Sequence, residues 1–404
     1  MPKPLSPETI TLVKATVPLL AEHGPTITHA MYRRLFQDDT IRALFNHANQ
    51  GEDGAQVHAL AGAILAYARN IENLGALTPV VERIAHKHVG YHILPEHYPH
   101  VATALLGAIK EVLGDAATDA VLNAWGEAYW FLAEVLKARE SVLRDGIAAQ
   151  DGGWTGWRQF TVADKVRESG VITSFILRPA DGGGVPRHKP GQYLTFRFAL
   201  ADGTEVKRTY SISCAPQDGQ YRISVKREAN GNGGSRHLHD HVQVGDIIEA
   251  TPPAGDFFLD EAPTRPVILL SGGVGLTPMV SMAEEIAARH PGLETHYIHG
   301  ALNGTTHAMD AHVRALAAQH PTIRVATFYS EPHPEDRLGV THDGEGFISI
   351  DWLRENTPLH QADIYLCGPK PFLRTYLNGL ALAGVAADRI HYEFFGPADD
   401  LIAA

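Results

Sequence analysis

The sequence predicts a multidomain protein in which an all-α domain precedes an antiparallel β-barrel and an α/β domain with a parallel sheet. Three observations lead to this prediction. Apolar residues recur at three- and four-residue spacings as far as about Arg144. Short alternating segments then follow, separated by Gly, Pro and Asp. From Pro266 onward, continuous apolar strands alternate with helical segments. We place the three domains at residues 1–149, 150–262 and 263–404.

Composition excludes several classes of function. The chain has 404 residues and a formal charge of −12, which argues against general affinity for nucleic acid or an anionic membrane. Cys214 and Cys367 are its two cysteines. A disulfide framework and a cysteine-bound iron–sulfur site are therefore excluded, and a reducing, cytoplasmic location is expected. We find no signal-peptide pattern, and no apolar run approaches the roughly 18 residues of a membrane span.

The all-α domain has one informative helix, which is predicted from Pro79 to about Val89. Ile84 belongs to its apolar face, and His88 lies four residues later on that face, whereas His86 lies on the polar face. Among 23 histidines, a lone inward histidine is more often a hydrogen-bonded core residue than a metal ligand, so both interpretations stay open. Glycine-containing stretches predict breaks between helices. These breaks are Gly24-Pro25, Gly51 to Gly54 and Gly114-Asp115.

Two stretches of the predicted barrel have residue types that suit a flavin. They are Pro190-Gly191-Gln192-Tyr193 and Arg208-Thr209-Tyr210-Ser211. An arginine can pair with a phosphate, an aromatic ring can stack on the isoalloxazine, and a hydroxyl can reach its N5 edge. The alternative interpretation of both tyrosines is that they are ordinary strand aromatics. The loop at 230–235 precedes a predicted helix from His237 to Val242, and it could cradle a pyrophosphate or be a surface hairpin.

The α/β domain contains a glycine turn between a strand and a helix. The strand is Pro266 to Leu270, the turn is Ser271 to Pro278, and the helix is predicted to begin at Met279. Such a turn lets the backbone approach a pyrophosphate at a helix N-terminus, although it can also be a plain connection. Cys367-Gly368-Pro369 closes a later strand, where an open α/β sheet binds its ligand. The alternative interpretation of Cys367 is a buried free thiol without a role in binding.

Five stretches of the helical domain point to a known family. They are Val13-Lys14-Ala15-Thr16, Phe45-Asn46, Tyr67 to Glu72, Ile84-Ala85-His86-Lys87-His88 and Pro95-Glu96-His97-Tyr98. In them the domain resembles the globin domain of flavohemoglobins, and the later domains continue the likeness in the same order. The resemblance implies that His88 is the proximal ligand of haem b and that Tyr98 and Glu140 hydrogen-bond its far nitrogen. A carboxylate there would push electron density onto the iron, whereas Glu140 without the likeness could equally be a solvated helix end.

On the other side of the haem, the resemblance implies that Tyr32 and Gln56 are hydrogen-bond donors and that Leu60 is the apolar wall. A phenol and an amide in these places would stabilise negative charge on bound dioxygen. With Tyr98 and Glu140, these two donors are the catalytic residues that the resemblance implies. Tyr32 taken alone could be a core aromatic residue with its hydroxyl at the surface.

The barrel and the α/β domain together resemble the ferredoxin-reductase superfamily. The likeness implies an FAD site at Tyr193, Arg208, Thr209, Tyr210, Ser211, Ser235, Glu393, Phe394, Phe395, Gly396 and Pro397. It implies an NAD(P)H site at Gly272, Gly273, Val274, Gly275, Leu276, Thr277, Pro278, Cys367, Gly368 and Pro369. Gly234-Ser235 stands where the family more usually has Val-Ser, which leaves the phosphate contact of Ser235 open. Glu393 matches a carboxylate between flavin and haem, and Lys87 beside His88 matches its basic counterpart, although either could be a solvated charge.

The resemblance implies a nitric oxide dioxygenase, in which NAD(P)H reduces FAD, FAD reduces the haem, and nitric oxide and dioxygen give nitrate. The expected partners are oxygen, nitric oxide and NAD(P)H, with lipid in the haem pocket left open, and the chain is expected to be a monomer. A haem-based oxygen- or lipid-binding sensor and a reductase of hydroperoxides or ferric chelates stay open as alternatives. His299-Gly300-Ala301 offers neither the carboxylate of an NAD site nor the arginine of an NADP site.

Overall fold

The structure is a computed structural model that describes residues 3–45, 55–200, 203–229 and 233–396. The chain divides into two compact units. The first extends to Ala149, and the second runs from Gln150 to Gly396 apart from Thr204–Lys207. Within the described ranges, no helix has both the length and the apolar character needed to cross a membrane.

The first unit is helical throughout its described residues. Its α-helices are α1 (Pro7–Ala15), α2 (Val17–Leu35), α3 (Asp39–Arg42), α4 (Ala55–Arg69), α5 (Thr78–Gly90), α6 (Tyr98–Leu113) and α7 (Asp119–Ala148). Short 3-10 turns lie at Leu74–Leu77, Pro95–His97 and Gly114–Ala116. Helix α2 packs on α4 and α6, while α7 packs on α1, α5 and α6. The periodic apolar residues form the core between these helices, which confirms the predicted all-α class.

Helix α2 continues through Gly24-Pro25, so the break predicted there is wrong. A proline inside a helix costs roughly 3 kcal/mol, because it removes one backbone hydrogen bond. Tertiary packing overrides that cost, since a Cβ at Gly24 would lie only 3.4 Å from the Cβ of Ala61 on α4. The break at Gly114 is confirmed, because α6 ends at Leu113. The predicted break from Gly51 to Gly54 lies outside the described residues.

The second unit begins with a six-stranded antiparallel sheet that closes into a barrel. Its strands are β1 (Arg158–Arg167), β2 (Ile172–Pro179), β3 (Tyr193–Ala199), β4 (Glu205–Ser211), β5 (Tyr221–Lys226) and β6 (Ile247–Ala250), in the order β4-β3-β6-β1-β2-β5. An antiparallel bridge between Ile212 and Ile223 joins the two outer strands. Alternate residues of the strands, such as Phe160 and Val162, fill the interior. Helix α8 (Gly234–Asp240) begins three residues earlier than predicted.

A six-stranded parallel sheet completes the second unit. Its strands are β7 (Val267–Gly272), β8 (Thr295–Ala301), β9 (Ile323–Tyr329), β10 (Gly344–Glu345), β11 (Asp363–Cys367) and β12 (Ile390–Glu393), in the order β10-β9-β8-β7-β11-β12. Its helices are α9 (Leu276–Arg289), α10 (Asp310–Gln319), α11 (Ile350–Asn356) and α12 (Lys370–Leu382). Helix α9 starts at Leu276, because Gly273–Gly275 already forms a 3-10 turn, so the predicted start at Met279 is too late.

Candidate functional site

The side chains of His88, Tyr98 and Glu140, from three different helices, meet in the first unit. His88 lies near the end of α5, Tyr98 begins α6, and Glu140 lies on α7. The Nδ1 of His88 is 2.7 Å from Glu140 Oε1, and the Tyr98 hydroxyl donates to the same oxygen at 2.5 Å. Glu140 is 0 % exposed. The alternative of a solvated helix end is therefore wrong, and the structure brings together the three proximal residues that the sequence predicts.

A fourth residue, Arg144, compensates the buried charge of Glu140. It lies one turn further along α7, and its guanidinium donates to Glu140 Oε2 at 3.0 Å and to the carbonyl of Ile93. Burial, followed by the nearby Glu140 carboxylate, raises the pKa of the Tyr98 hydroxyl far above its ordinary value. Tyr98 therefore stays a neutral donor. The sequence analysis missed Arg144, although its spacing of four residues from Glu140 on one helix is typical of an ion pair.

The donor set around His88 fits the axial ligand of a haem. Because Nδ1 faces a carboxylate acceptor, it carries the ring proton, and Nε2 keeps its lone pair. The side chain of His88 is 31 % exposed. A hydrogen-bonded core histidine would have both nitrogens occupied within the core.

The predicted distal residues lie on α2 and α4. Tyr32 is buried, and its ring stacks on Phe36 at a centroid distance of 5.3 Å and meets Phe45 edge-on at 5.7 Å. Burial raises the pKa of the Tyr32 hydroxyl well above its ordinary value, so it stays protonated. Gln56 and Leu60 are half-buried, and Leu60 packs on the same apolar cluster as Tyr32.

The predicted flavin residues lie on neighbouring strands β3 and β4. Tyr193 begins β3, where a Cβ at Gly255 would lie 3.0 Å from its ring. Arg208 of β4 crosses the start of α8, since a Cβ at Gly234 would lie 2.7 Å from its Cγ. The Tyr210 ring lies 5.9 Å from that of Phe196. Thr209 is exposed and Ser211 is buried on the same strand.

Ser235, the least secure of the predicted flavin residues, has a structural partner. Its hydroxyl accepts a hydrogen bond of 3.1 Å from the backbone N–H of Glu228. Residues 230–232 of the preceding loop lie outside the described ranges. The contact to Glu228 links the two ends of that loop, which gives Ser235 a role independent of any phosphate.

The predicted dinucleotide residues come together at the carboxyl ends of β7 and β11. A Cβ at Gly275 would lie 2.1 Å from the carbonyl oxygen of Cys367, so no other residue fits there without a shift of the backbone. Leu276, Thr277 and Pro278 form the buried first turn of α9. Burial raises the pKa of the Cys367 thiol well above its usual value, which makes it a poor nucleophile. The turn and Cys367-Gly368-Pro369 thus form one continuous backbone surface, as an open α/β sheet provides for a dinucleotide.

Strand β12, close to the last described residues, pairs with β11 and was not predicted from the sequence. In the parallel pairing of β11 with β12, Cys367 lies opposite Glu393. Phe394 and Gly396 are half-buried, and Phe395 is exposed. Pro397, also predicted to contact FAD, lies outside the described residues. Lys87 is exposed on α5, and its pairing with Glu393 stays a prediction.

Comparison with known proteins agrees with the predicted fold. Three family models match in order: Globin at residues 29–136, Oxidoreductase FAD-binding domain at 159–259 and Oxidoreductase NAD-binding domain at 269–377. The chain is 61 % identical over 400 residues to a flavohemoprotein of Xylella fastidiosa, covering 99 % of each chain. It is 48 % identical to one of Bordetella parapertussis, covering 97 % of this chain and 98 % of that one.

Solved structures give the same order of domains. A Malassezia yamatoensis flavohemoglobin with bound FAD and haem matches 97 % of this chain and all of its own, with a TM-score of 0.86 and 28 % identity. The FAD/NAD-binding domain of a Vibrio cholerae nitric oxide dioxygenase matches 61 % of this chain and all of its own, with a TM-score of 0.54 and 36 % identity. The chain therefore carries a globin domain for haem, an FAD-binding domain and a NAD-binding domain.

Proposed function

This chain belongs to the flavohemoprotein family of oxidoreductases, and we propose that it is an NAD(P)H-dependent nitric oxide dioxygenase. The observation that carries the proposal is the fully buried Glu140 at 2.7 Å from Nδ1 of His88. A carboxylate in this place gives the imidazole anionic character, which favours activation of dioxygen over its storage.

When bound, the cofactors would supply the redox chemistry: hydride donation by NAD(P)H, its division into single electrons by FAD, and one-electron chemistry on dioxygen and nitric oxide at haem b. The residues of the first unit create the environment for that reaction. His88 would hold the iron through Nε2, while Glu140 fixes the ring through its bond to Nδ1. On the other side of the haem, Tyr32 and Gln56 would donate hydrogen bonds, and Leu60 would form the apolar wall.

The residues of the second unit bind and orient the electron donors. Arg208 would pair with a phosphate of FAD, while Tyr193 and the 209–211 stretch would contact the flavin. The glycine turn of 272–275 would admit the dinucleotide pyrophosphate, and Cys367-Gly368-Pro369 would lie beside the nicotinamide. In this proposal the domains are 1–149, 150–262 and 263–404.

The test is NADH and NADPH oxidation by purified protein loaded with haem and FAD, in the presence of oxygen and with or without nitric oxide. We expect nitric oxide to stimulate turnover and nitrate to form in proportion to the nitric oxide consumed. Turnover of a hydroperoxide or a ferric chelate without nitrate formation would contradict the proposal and favour the reductase alternative.

Two histidines on one helix provide a matched pair of variants. His88→Ala should remove the axial ligand and the Soret band of the ferrous protein, and nitrate formation should stop. His86→Ala, two residues earlier on α5, should keep both. Equal loss of the Soret band and of nitrate formation in the two variants would mean that both changes damage helix α5 and that the loss does not report the ligand.

A further inference from the structure

Two consecutive residues after the flavin stretch, Cys214 and Ala215, are held by one side of helix α9. The hydroxyl of Ser281 donates to the carbonyl of Cys214 at 2.6 Å. The backbone N–H of Ala215 donates to Oε2 of Glu284 at 2.7 Å. Ser281 and Glu284 are three residues apart and therefore share a helix face. The end of strand β4 is thus attached to the helix that follows the glycine turn.

Arg222 of β5 adds a third connection between the barrel and α9. Its guanidinium donates to the carbonyl of Ser213 through Nε at 3.1 Å and to Oε1 of Glu284 at 2.7 Å. The side chains of Arg222 and Glu284 are only 17 % and 16 % exposed. This ion pair is consequently less screened by solvent than a surface pair.

Two histidines also face this contact. The Nε2 atom of His312, on α10, lies 2.7 Å from Oε1 of Glu284. Nε2 of His188 lies 3.0 Å from the Cys214 carbonyl, and burial lowers the pKa of His188 to about 4. Burial also acts to raise the pKa of Glu284, but its bonds to His312, Arg222 and Ala215 outweigh this effect and hold that pKa below its usual value. Glu284 therefore acts as a carboxylate with a donor on each oxygen.

Helix α9 connects the two cofactor sites of the second unit. It begins at Leu276, directly after the glycine turn of the dinucleotide site, and Ser281 lies about 7 to 8 Å further along the axis. We infer that Ser281 and Glu284 are positioning residues for hydride transfer, which set the separation of nicotinamide and flavin by fixing α9 to the end of β4. This inference rests on the proposed function.

The reaction that depends on this separation is a two-electron step. With both cofactors bound, the hydrogen and electron pair of the dihydronicotinamide C4–H bond would pass to N5 of the flavin, which would leave NAD(P)⁺ and reduced flavin. Transfer requires the two reacting atoms to come within roughly 3 to 3.5 Å, and a displacement of about 1 Å can cost 100-fold in rate. A looser α9 would therefore slow the transfer itself more than it would weaken dinucleotide binding.

The experiment is anaerobic stopped-flow reduction of the flavin by NADH in the full-length protein loaded with haem and FAD. Glu284→Gln removes the ionic bonds and Ser281→Ala removes the hydroxyl. Glu285→Gln removes the same charge from the next position, whose cationic neighbours Arg187 and Arg289 are 3.8 and 3.7 Å away. We expect Glu284→Gln to lower the limiting reduction rate at least about tenfold, with the NADH dissociation constant changed less than about threefold. Glu285→Gln should reduce at the wild-type rate.

A second readout does not depend on catalysis. Hydrogen exchange at the amide of Ala215 should speed up in Glu284→Ala, while exchange in the helices of the first unit stays the same. Wild-type reduction rates in both Glu284→Gln and Ser281→Ala, or a change confined to the dissociation constant, would overturn the positioning role. A wild-type flavin that NADH does not reduce would overturn the proposed function as well.

Discussion

Arg144→Met tests how much stability depends on the cation beside the buried Glu140. The pair lies on one helix with an N···O distance of 3.0 Å, and the side chains are 15 % and 0 % exposed. Breaking a buried pair costs about 3 to 5 kcal/mol, because the remaining charge is left without compensation. The Nε of Arg144 is itself buried without an acceptor among the described residues, so its removal returns about 1 kcal/mol. We expect a net loss of about 2 to 4 kcal/mol.

A neighbouring arginine provides the matched control. Arg139 lies on the same helix and pairs with Glu82 at 2.7 Å, but these side chains are 35 % and 34 % exposed. Solvent screens such a pair, so Arg139→Met should cost less than about 1 kcal/mol. The two variants remove the same side chain and differ mainly in the burial of the partner.

The assay is urea unfolding of the haem-loaded full-length protein, followed by loss of the Soret band. The band reports the helical unit alone, which avoids averaging over domains that unfold separately. The midpoint for Arg144→Met should fall well below those of the wild type and Arg139→Met. Equal midpoints for the two variants would refute the reasoning, because burial of the carboxylate would then have no energetic consequence.

Three further predictions concern the second unit. Gly275→Ala should abolish NADH-dependent flavin reduction, because the new Cβ would occupy the place of the Cys367 carbonyl oxygen, and stopped-flow reduction would show it. Arg208→Ala should weaken FAD binding roughly 10- to 100-fold through loss of a charge-assisted hydrogen bond, measured by FAD titration of the apoprotein, and unchanged affinity would contradict the phosphate role. Burial lowers the pKa of His188 from 6.5 to about 4. Between these pH values the unfolded chain binds a proton that the folded chain does not. The free energy of unfolding therefore falls as the pH falls through this range. His188→Gln should reduce this decline by up to about 1.4 kcal/mol per pH unit, measured by urea unfolding at pH 7 and pH 5.

The sequence predicts the order of the elements well because their signals are local. The strand predicted from Pro266 to Leu270 is found at Val267–Gly272, within two residues at each end. The break predicted at Gly24-Pro25 is wrong because the helix depends on a non-local contact. There α2 packs on α4, and these two helices are distant in the sequence.

The residues of the candidate sites also differ in whether a local sequence pattern predicts them. The position of His88 on an apolar helix face could be predicted, but this position alone left its role open. The burial of Glu140 could not be predicted, because it depends on how α5, α6 and α7 pack. Glu284 gave no signal, since an acidic residue in an amphipathic helix is usually solvated. Only the fold places it against Arg222 and Ala215.

The strand order of the barrel has a consequence for how the chain folds. Strand β1 pairs with β2, its neighbour in sequence, but also with β6, so that Arg158 meets Ala250. Pairing between such distant residues requires closure of a long loop, which is slow, whereas the helices of the first unit form from contacts within a few residues. We therefore expect the globin unit to fold first after dilution from denaturant, and the reductase unit to acquire flavin affinity only when β6 has been placed.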